Sequence, residues 1–440
     1  MHRPAPLALL FALAAVGCGC SNPNDAPPPL EASGEAAAPT PTGDTDYDRA
    51  VRDLDARIAA AERAAERFDD DWGRLDTVAA LYAARAQLTG DYADYRRAEE
   101  ALSRAFELAA EGSGPLLTRA SLHFTLHRLD RTAADLDRIE AGVILSDTTK
   151  IAVDHLRGDV AFHSGRYEEA ERLHRRADET WESSSGAFRI AYDLWQTGRF
   201  MEAESWLVTS LGRIVGDADQ GRAWTHLQMG IMDLDRGRWD EALAHYRDAQ
   251  AVFSGWWLVD EHVAEIHALR EDWRRAEVAY RDVVARTDSP ELMDALADVL
   301  LERGRDEEAA EWRARARATY EAQLETLPEA AYGHALDHFL AHGEAARALE
   351  LAEANHALRP GGEATVKLAQ ALLRAGRVDD ARTRIEGALA TAYRTAELHA
   401  TAAAIYRASG DTAAADAQDA LAGEIDPHAP GGMDWLLPGE

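Results

Sequence analysis

After residue 20 the chain contains no cysteine. The remaining 420 residues therefore have no disulfide, no cysteine-ligated metal and no thiol nucleophile. Lysine is almost absent: Lys150 and Lys367 stand against 45 arginines, which reads as the codon bias of a GC-rich genome. Positive charge as a whole is scarce, and the net charge of −31 disfavours nucleic acid and anionic membrane surfaces. The same charge confers solubility and would attract a basic partner. HExxH, GxSxG and phosphate-loop motifs are missing, and so are paired zinc-ligand cysteines. What remains is a chain of 440 residues, 46% hydrophobic, too long for one ordinary core.

The one continuous apolar run, Leu7 to Val16, follows His2 and Arg3 and is too short for a permanent membrane span. Residues 1–17 read as a signal peptide. Ala15-Val16-Gly17-Cys18 resembles a bacterial lipobox, with Ala15 where leucine is usual, and implies lipidation of Cys18. Cys20 is the poorer alternative; an exported protein with a coincidental cysteine is the plainer one. Gly19 after Cys18 implies, by resemblance to enteric sorting rules, the outer membrane facing the periplasm. Residues 18–45 are rich in Pro and Ala without apolar periodicity and read as a disordered tether.

From Asp46 the pattern is helical. A phrase recurs: a turn glycine, a polar residue, an apolar one, two mostly charged residues, then alanine. It is written Gly165-Arg166-Tyr167-Glu168-Glu169-Ala170, and again from Gly198, Gly237, Glu271, Gly304, Gly343, Gly376 and Gly410. Successive turns lie 33 to 39 residues apart, and weaker copies end at Ala98 and Thr132. This phrase and period resemble the tetratricopeptide repeat. The resemblance implies an all-α, right-handed superhelical solenoid of about ten helix-turn-helix units over residues 69–427. A capping helix over 46–68 precedes it, and a tail over 428–440 follows. In the unit turning at Gly237, Gly230 and Ala242 take the two small positions, with Tyr246 and Ala249 following.

The family exposes a set of first-helix positions in a concave groove. Counting back from the turns, the resemblance assigns Phe188, Tyr192 and Trp195 to one stretch of that groove. It assigns Glu291, Asp294, Asp298 and Glu302 to another, with Glu261 and Glu265 before them and Asp337 after. An aromatic stretch beside an acidic one suits a partner segment with apolar and basic residues; a wet helix face is the plainer reading of the acids.

His334, His338 and His342 recur at i, i+4 and i+8, a spacing that can bring two imidazoles to one metal. Solvated helix histidines are the preferred reading, and no metal or cofactor is expected. Glu261, His262, Glu265 and His267 lack metalloprotease spacing. The function expected is a non-catalytic scaffold or adaptor at the cell envelope, binding a protein or peptide. The alternatives are a periplasmic metal- or ligand-binding protein using the histidine stripe, and an accessory subunit of an envelope enzyme or transport complex.

Overall fold

The computed structural model describes residues 44–142, 145–216 and 218–436. The signal segment, Cys18 and nearly all of the tether lie outside these residues. The described residues form 21 α-helices, one short 3-10 helix and no strand. The long first helix α1 (Asp46–Arg67) starts with a capping box, in which Thr45 and Asp48 satisfy each other's backbone N–H groups.

Ten antiparallel hairpins follow. The first three pair α2 (Trp72–Thr89) with α3 (Tyr92–Leu108), α4 (Leu116–Thr125) with α5 (Leu129–Glu140), and α6 (Asp147–His163) with α7 (Tyr167–Thr180). Next come α8 (Ser184–Gln196) with α9 (Phe200–Gly212), α10 (Asp219–Leu234) with α11 (Trp239–Val252), and α12 (Trp257–Leu269) with α13 (Trp273–Thr287). The last four pair α14 (Pro290–Glu302) with α15 (Asp306–Thr326), α16 (Pro328–His342) with α17 (Ala345–Leu358), α18 (Gly362–Arg374) with α19 (Val378–Leu389), and α20 (Ala396–Ala408) with α21 (Thr412–Ile425). Each hairpin also packs on the next, and the buried apolar residues form one large cluster, mostly from α10 onward, with three smaller ones among the earlier hairpins.

The recurring phrase explains the hairpin. Gly165 sits at φ 78°, the left-handed conformation that ends α6. Its N–H donates to Phe162 O, and that of Arg166 to Ala161 O. The closing alanines Ala170, Ala203, Ala242, Ala276, Ala309, Ala348, Ala381 and Ala415 are all fully buried, because there the two helices nearly touch. Glu271 adopts the left-handed turn without being glycine, at φ 59°. Gly343 differs: it is extended, at φ −109°, and its hairpin turns without the left-handed residue.

Tyr246 is fully buried against Gly230, where a Cβ would lie 2.3 Å from its ring. Ala242→Leu is therefore expected to overpack this hairpin and cost about 1–3 kcal/mol. Thermal denaturation followed by circular dichroism checks this; an unchanged transition would displace Ala242 from the contact.

The stack coils until its two halves meet. The Trp257 indole N–H donates to Leu88 O at 3.1 Å, joining the first hairpin to the sixth. Arg128 pairs with Glu329 at 3.2 Å, joining the second to the eighth. The Gly362 N–H donates to the Tyr167 hydroxyl at 2.7 Å, and the Tyr167 ring stacks on Tyr393. Arg394 N donates to Gln196 O, and Trp239 stacks on His428 with ring centres 4.1 Å apart. At the other end, α1 starts against the loop before α12: Tyr47 N donates to Ser254 O, and the Ser254 hydroxyl to Asp46 at 2.6 Å. After α21 the chain folds back onto α18, burying Met433 and Leu436.

Candidate functional site

Coiling this tightly fills the concave side. First helices of the second half are buried nearly all round, as α14 and α20 illustrate. The open groove expected from the repeat is thus occupied by the chain's own side chains. Phe188, Trp195, Glu261, Glu265, Glu291 and Asp294 are all buried. Tyr192, Asp298 and Asp337 are part-buried, and Glu302 alone is exposed.

The aromatic stretch is brought together, as a core. Phe188 stacks on Tyr192, which packs edge-on against Trp195 and tilts onto Phe162 of α6. These rings serve as one another's partners.

The acids of α14 also have internal partners. The stripe on α16 faces them rung by rung, since both rows follow the helical repeat. His334 Nδ1 lies 3.3 Å from Glu291, His338 Nδ1 2.9 Å from Asp294, and His342 Nε2 3.7 Å from Asp298. Arg313 also reaches Asp298, and the Ser289 hydroxyl donates to Glu291. Of the stripe, His338 is buried, His334 part-buried and His342 exposed, so the solvated reading holds at its C-terminal end and fails at its centre; each imidazole lies near a different carboxylate of α14 and the three do not converge. Asp337 is held by Lys367, whose ammonium lies 2.8 Å from it and 3.1 Å from Glu397.

Burial pushes the Asp294 carboxyl up to about 6, although His338 opposes the shift and Asp298 and Glu291 add to it. A folded-state pKa above the unfolded value of 3.8 favours the fold below that value, and the benefit is lost as pH rises through 6. The wild type is thus expected to lose on the order of 3 kcal/mol relative to Asp294→Asn between pH 4 and 7. Parallel pH–stability curves for the two proteins would contradict this.

One group of residues escapes a reading by motif. Glu261, His262 and Glu265, all buried on α12, offer donor atoms within 4.8 Å of one another. His262 Nδ1 lies 3.1 Å from Glu265 Oε2, and Nε2 lies 3.4 Å from Glu261 Oε1. Burial drives the Glu261 carboxyl up to about 8, against the pull of His262. The spacing i, i+1, i+4 belongs to no standard motif; the signal available in sequence was two acids and a histidine on a helix whose other residues are mostly apolar.

A second buried network lies between α6, α7 and α8. His174 Nδ1 lies 2.7 Å from Asp193 and Nε2 3.3 Å from Asp159, which also pairs with Arg189 at 3.0 Å. Burial alone would lower the imidazole's pKa, but Asp193 and Asp159 outweigh it and raise it to about 9. Burial pushes the other way on Asp159, where Arg189 and His174 prevail and hold the carboxyl at about 2.

Among known proteins, the tetratricopeptide-repeat family model matches residues 182–254. No curated protein matches the chain. Among solved structures, a tetratricopeptide repeat protein from Parabacteroides merdae is similar over 58% of this chain and 98% of its own, at 15% identity and a TM-score of 0.35. PilW, described as a widely conserved type IV pilus biogenesis factor, is similar over 48% of this chain and 96% of its own, at 14% identity and a TM-score of 0.39. The apo form of the quorum sensor NprR from B. thuringiensis is similar over 86% of this chain and 99% of its own, at 11% identity and a TM-score of 0.42. Likenesses of this degree assign no function.

Proposed function

We propose that this helical-repeat chain, whose residues 182–254 match the tetratricopeptide-repeat family model, is a non-catalytic scaffold of the cell envelope, tethered through Cys18, whose protein partners meet its outer face. The observation that carries this reading is the filled interior. With the first helices buried, the second helices are the surface presented. Met201 and Val208 stand exposed on one side of α9, at 75% and 55%, flanked by the exposed acids Glu202 and Glu204. Trp181 follows α7, 62% exposed, and that end of α7 is tied to the end of α9, where Arg213 pairs with Asp178 at 2.5 Å. Apolar side chains among acids, on a chain of net charge −31, suit a protein segment carrying apolar residues beside Lys or Arg. An accessory role in an envelope enzyme or transport complex is one form such a scaffold takes. A ligand-binding role through the histidine stripe draws no support, since its imidazoles already face carboxylates.

Photo-crosslinking in the native cell tests the reading. A crosslinker replacing Met201 should capture a protein partner, and one replacing Trp195 should capture none. Cys18→Ser should release the protein from the envelope. Capture from Trp195 alone would return the partner to the concave side. A wild type recovered wholly in the soluble fraction would remove the tether from the proposal.

A further inference from the structure

In a chain of 45 arginines, acids usually find one. The interior between α12 and α14 is an exception: among the described residues no Arg or Lys pairs with Glu261 or Glu265 of α12 or Glu291 of α14. Glu261 is fully buried, yet neither carboxylate oxygen has a hydrogen-bond partner. His262 is 1% exposed, and its Nε2 has none either. Buried polar atoms left this way are costly, and several converging on one spot call for a ligand.

The arrangement around His262 is directional. Glu265 Oε2 sits 3.1 Å from Nδ1, where it accepts that nitrogen's hydrogen. Nε2 lies 3.4 Å from Glu261 Oε1 without a hydrogen bond between them, so once the proton of Nε2 is displaced both atoms are available to one ligand. The Tyr246 ring, stacked on the imidazole at 5.2 Å, holds its plane. A carboxylate behind a histidine whose other nitrogen faces donor oxygens is the orienting arrangement of metal-bound imidazoles. Donors spaced by about this distance fit ligand bonds of about 2.0–2.2 Å to a single ion. A dication would also offset the negative field here, to which Asp235 and Glu291 contribute.

We propose that Glu261 and His262 Nε2 bind a divalent transition metal, with Glu265 as the positioning residue behind the imidazole. One imidazole with carboxylate oxygens suits zinc or manganese better than magnesium or calcium. The ion would sit within the sixth repeat, at the centre of the stack, and tie α12 together without taking part in a reaction. This site is distinct from the stripe on α16 and independent of the partner surface on α9.

The test uses the full chain, stripped with a chelator, with zinc, manganese and magnesium chlorides as separate probes. Calorimetric titration should give one zinc or manganese per chain, and either ion should raise the melting temperature where magnesium does not. Glu261→Gln keeps the side chain's shape and removes its charge. It should fold, as read by circular dichroism, and weaken binding at least 100-fold. Glu265→Gln should weaken it by roughly 10–100-fold, as loss of an outer partner does. His338→Gln should leave it unchanged. No stoichiometric binding by either metal would overturn the proposal. So would binding that survives in Glu261→Gln, which would move the ion to the part-exposed group His226, His245 and Asp248.

Discussion

Trp257→Ala is expected to lower stability by about 3–5 kcal/mol, the usual cost of truncating a buried tryptophan. Trp257 is 3% exposed, and its indole N–H satisfies the carbonyl of Leu88, 169 residues away in sequence. The ring also lies under the turn at Gly90, where a Cβ would come 3.5 Å from it. The loss should therefore appear at two places far apart in sequence. In a stack stabilised only by nearest neighbours, damage to the sixth hairpin would spread to the fifth and seventh. Here, amides of α2 and α3 should lose hydrogen-exchange protection along with those of α12 and α13. Because a repeat array need not unfold in one step, site-resolved exchange is a better readout than one melting temperature. Loss of protection confined to the fifth to seventh hairpins would mean that the two halves do not support each other.

Arg189→Met is expected to cost a similar amount, about 3–5 kcal/mol, for a different reason. Arg189 is 4% exposed and contacts both oxygens of Asp159 at 3.0 Å. Removing its charge leaves Asp159 and Asp193 to share His174 as their cation, in a setting with little water. The size of the loss comes from the stranded carboxylate more than from the worth of the pair itself. Hence the double variant Arg189→Met/Asp159→Asn should recover much of the stability, although it lacks both charges. Denaturation of the single and double variants in a mutant cycle measures this. If the double variant were as unstable as the sum of the two single changes, Arg189 would be acting through packing and not through charge.

Much of the fold was legible because the repeat is local. The glycine that reverses the chain, the apolar residue two positions on and the alanine five positions on lie within six residues, and each copy builds its own hairpin. The lengthened elements were legible too. In the sequence Gly212–Gln220 fits a longer loop and Arg313–Glu325 a longer second helix; α15 runs to 21 residues, Asp306–Thr326. Even the exception at Glu271 follows, since backbone contacts in the turn can hold a non-glycine residue left-handed.

The interior was not legible, and its physical cause is cumulative. Each hairpin rotates slightly on the last, and the sum decides whether the concave side stays open. Contacts such as Arg128 with Glu329 and Tyr167 with Gly362 span about 200 residues, so no local pattern records them. The acid row of α14 and the histidine stripe of α16 were each visible alone. That they face each other follows only from knowing that first helices lie side by side in register. Lys367 stands out in the sequence as one of two lysines, but its place between Asp337 and Glu397 exists only in three dimensions.

A filled concave side, with partners meeting the outer helices, makes the two faces differ in their access to water. The absence of cysteine after residue 20 makes a direct measurement available. With Cys18 and Cys20 replaced by serine, single cysteines are placed by Trp195→Cys, Asp294→Cys and Met201→Cys, and their reaction with a water-soluble thiol reagent is timed. Met201→Cys should react at the rate of a free thiol. Trp195→Cys and Asp294→Cys should react on the order of 100-fold more slowly or less, at a pace set by local opening. Three comparable fast rates would mean an open groove, and would return the acidic and aromatic first-helix residues to the surface where a partner can reach them.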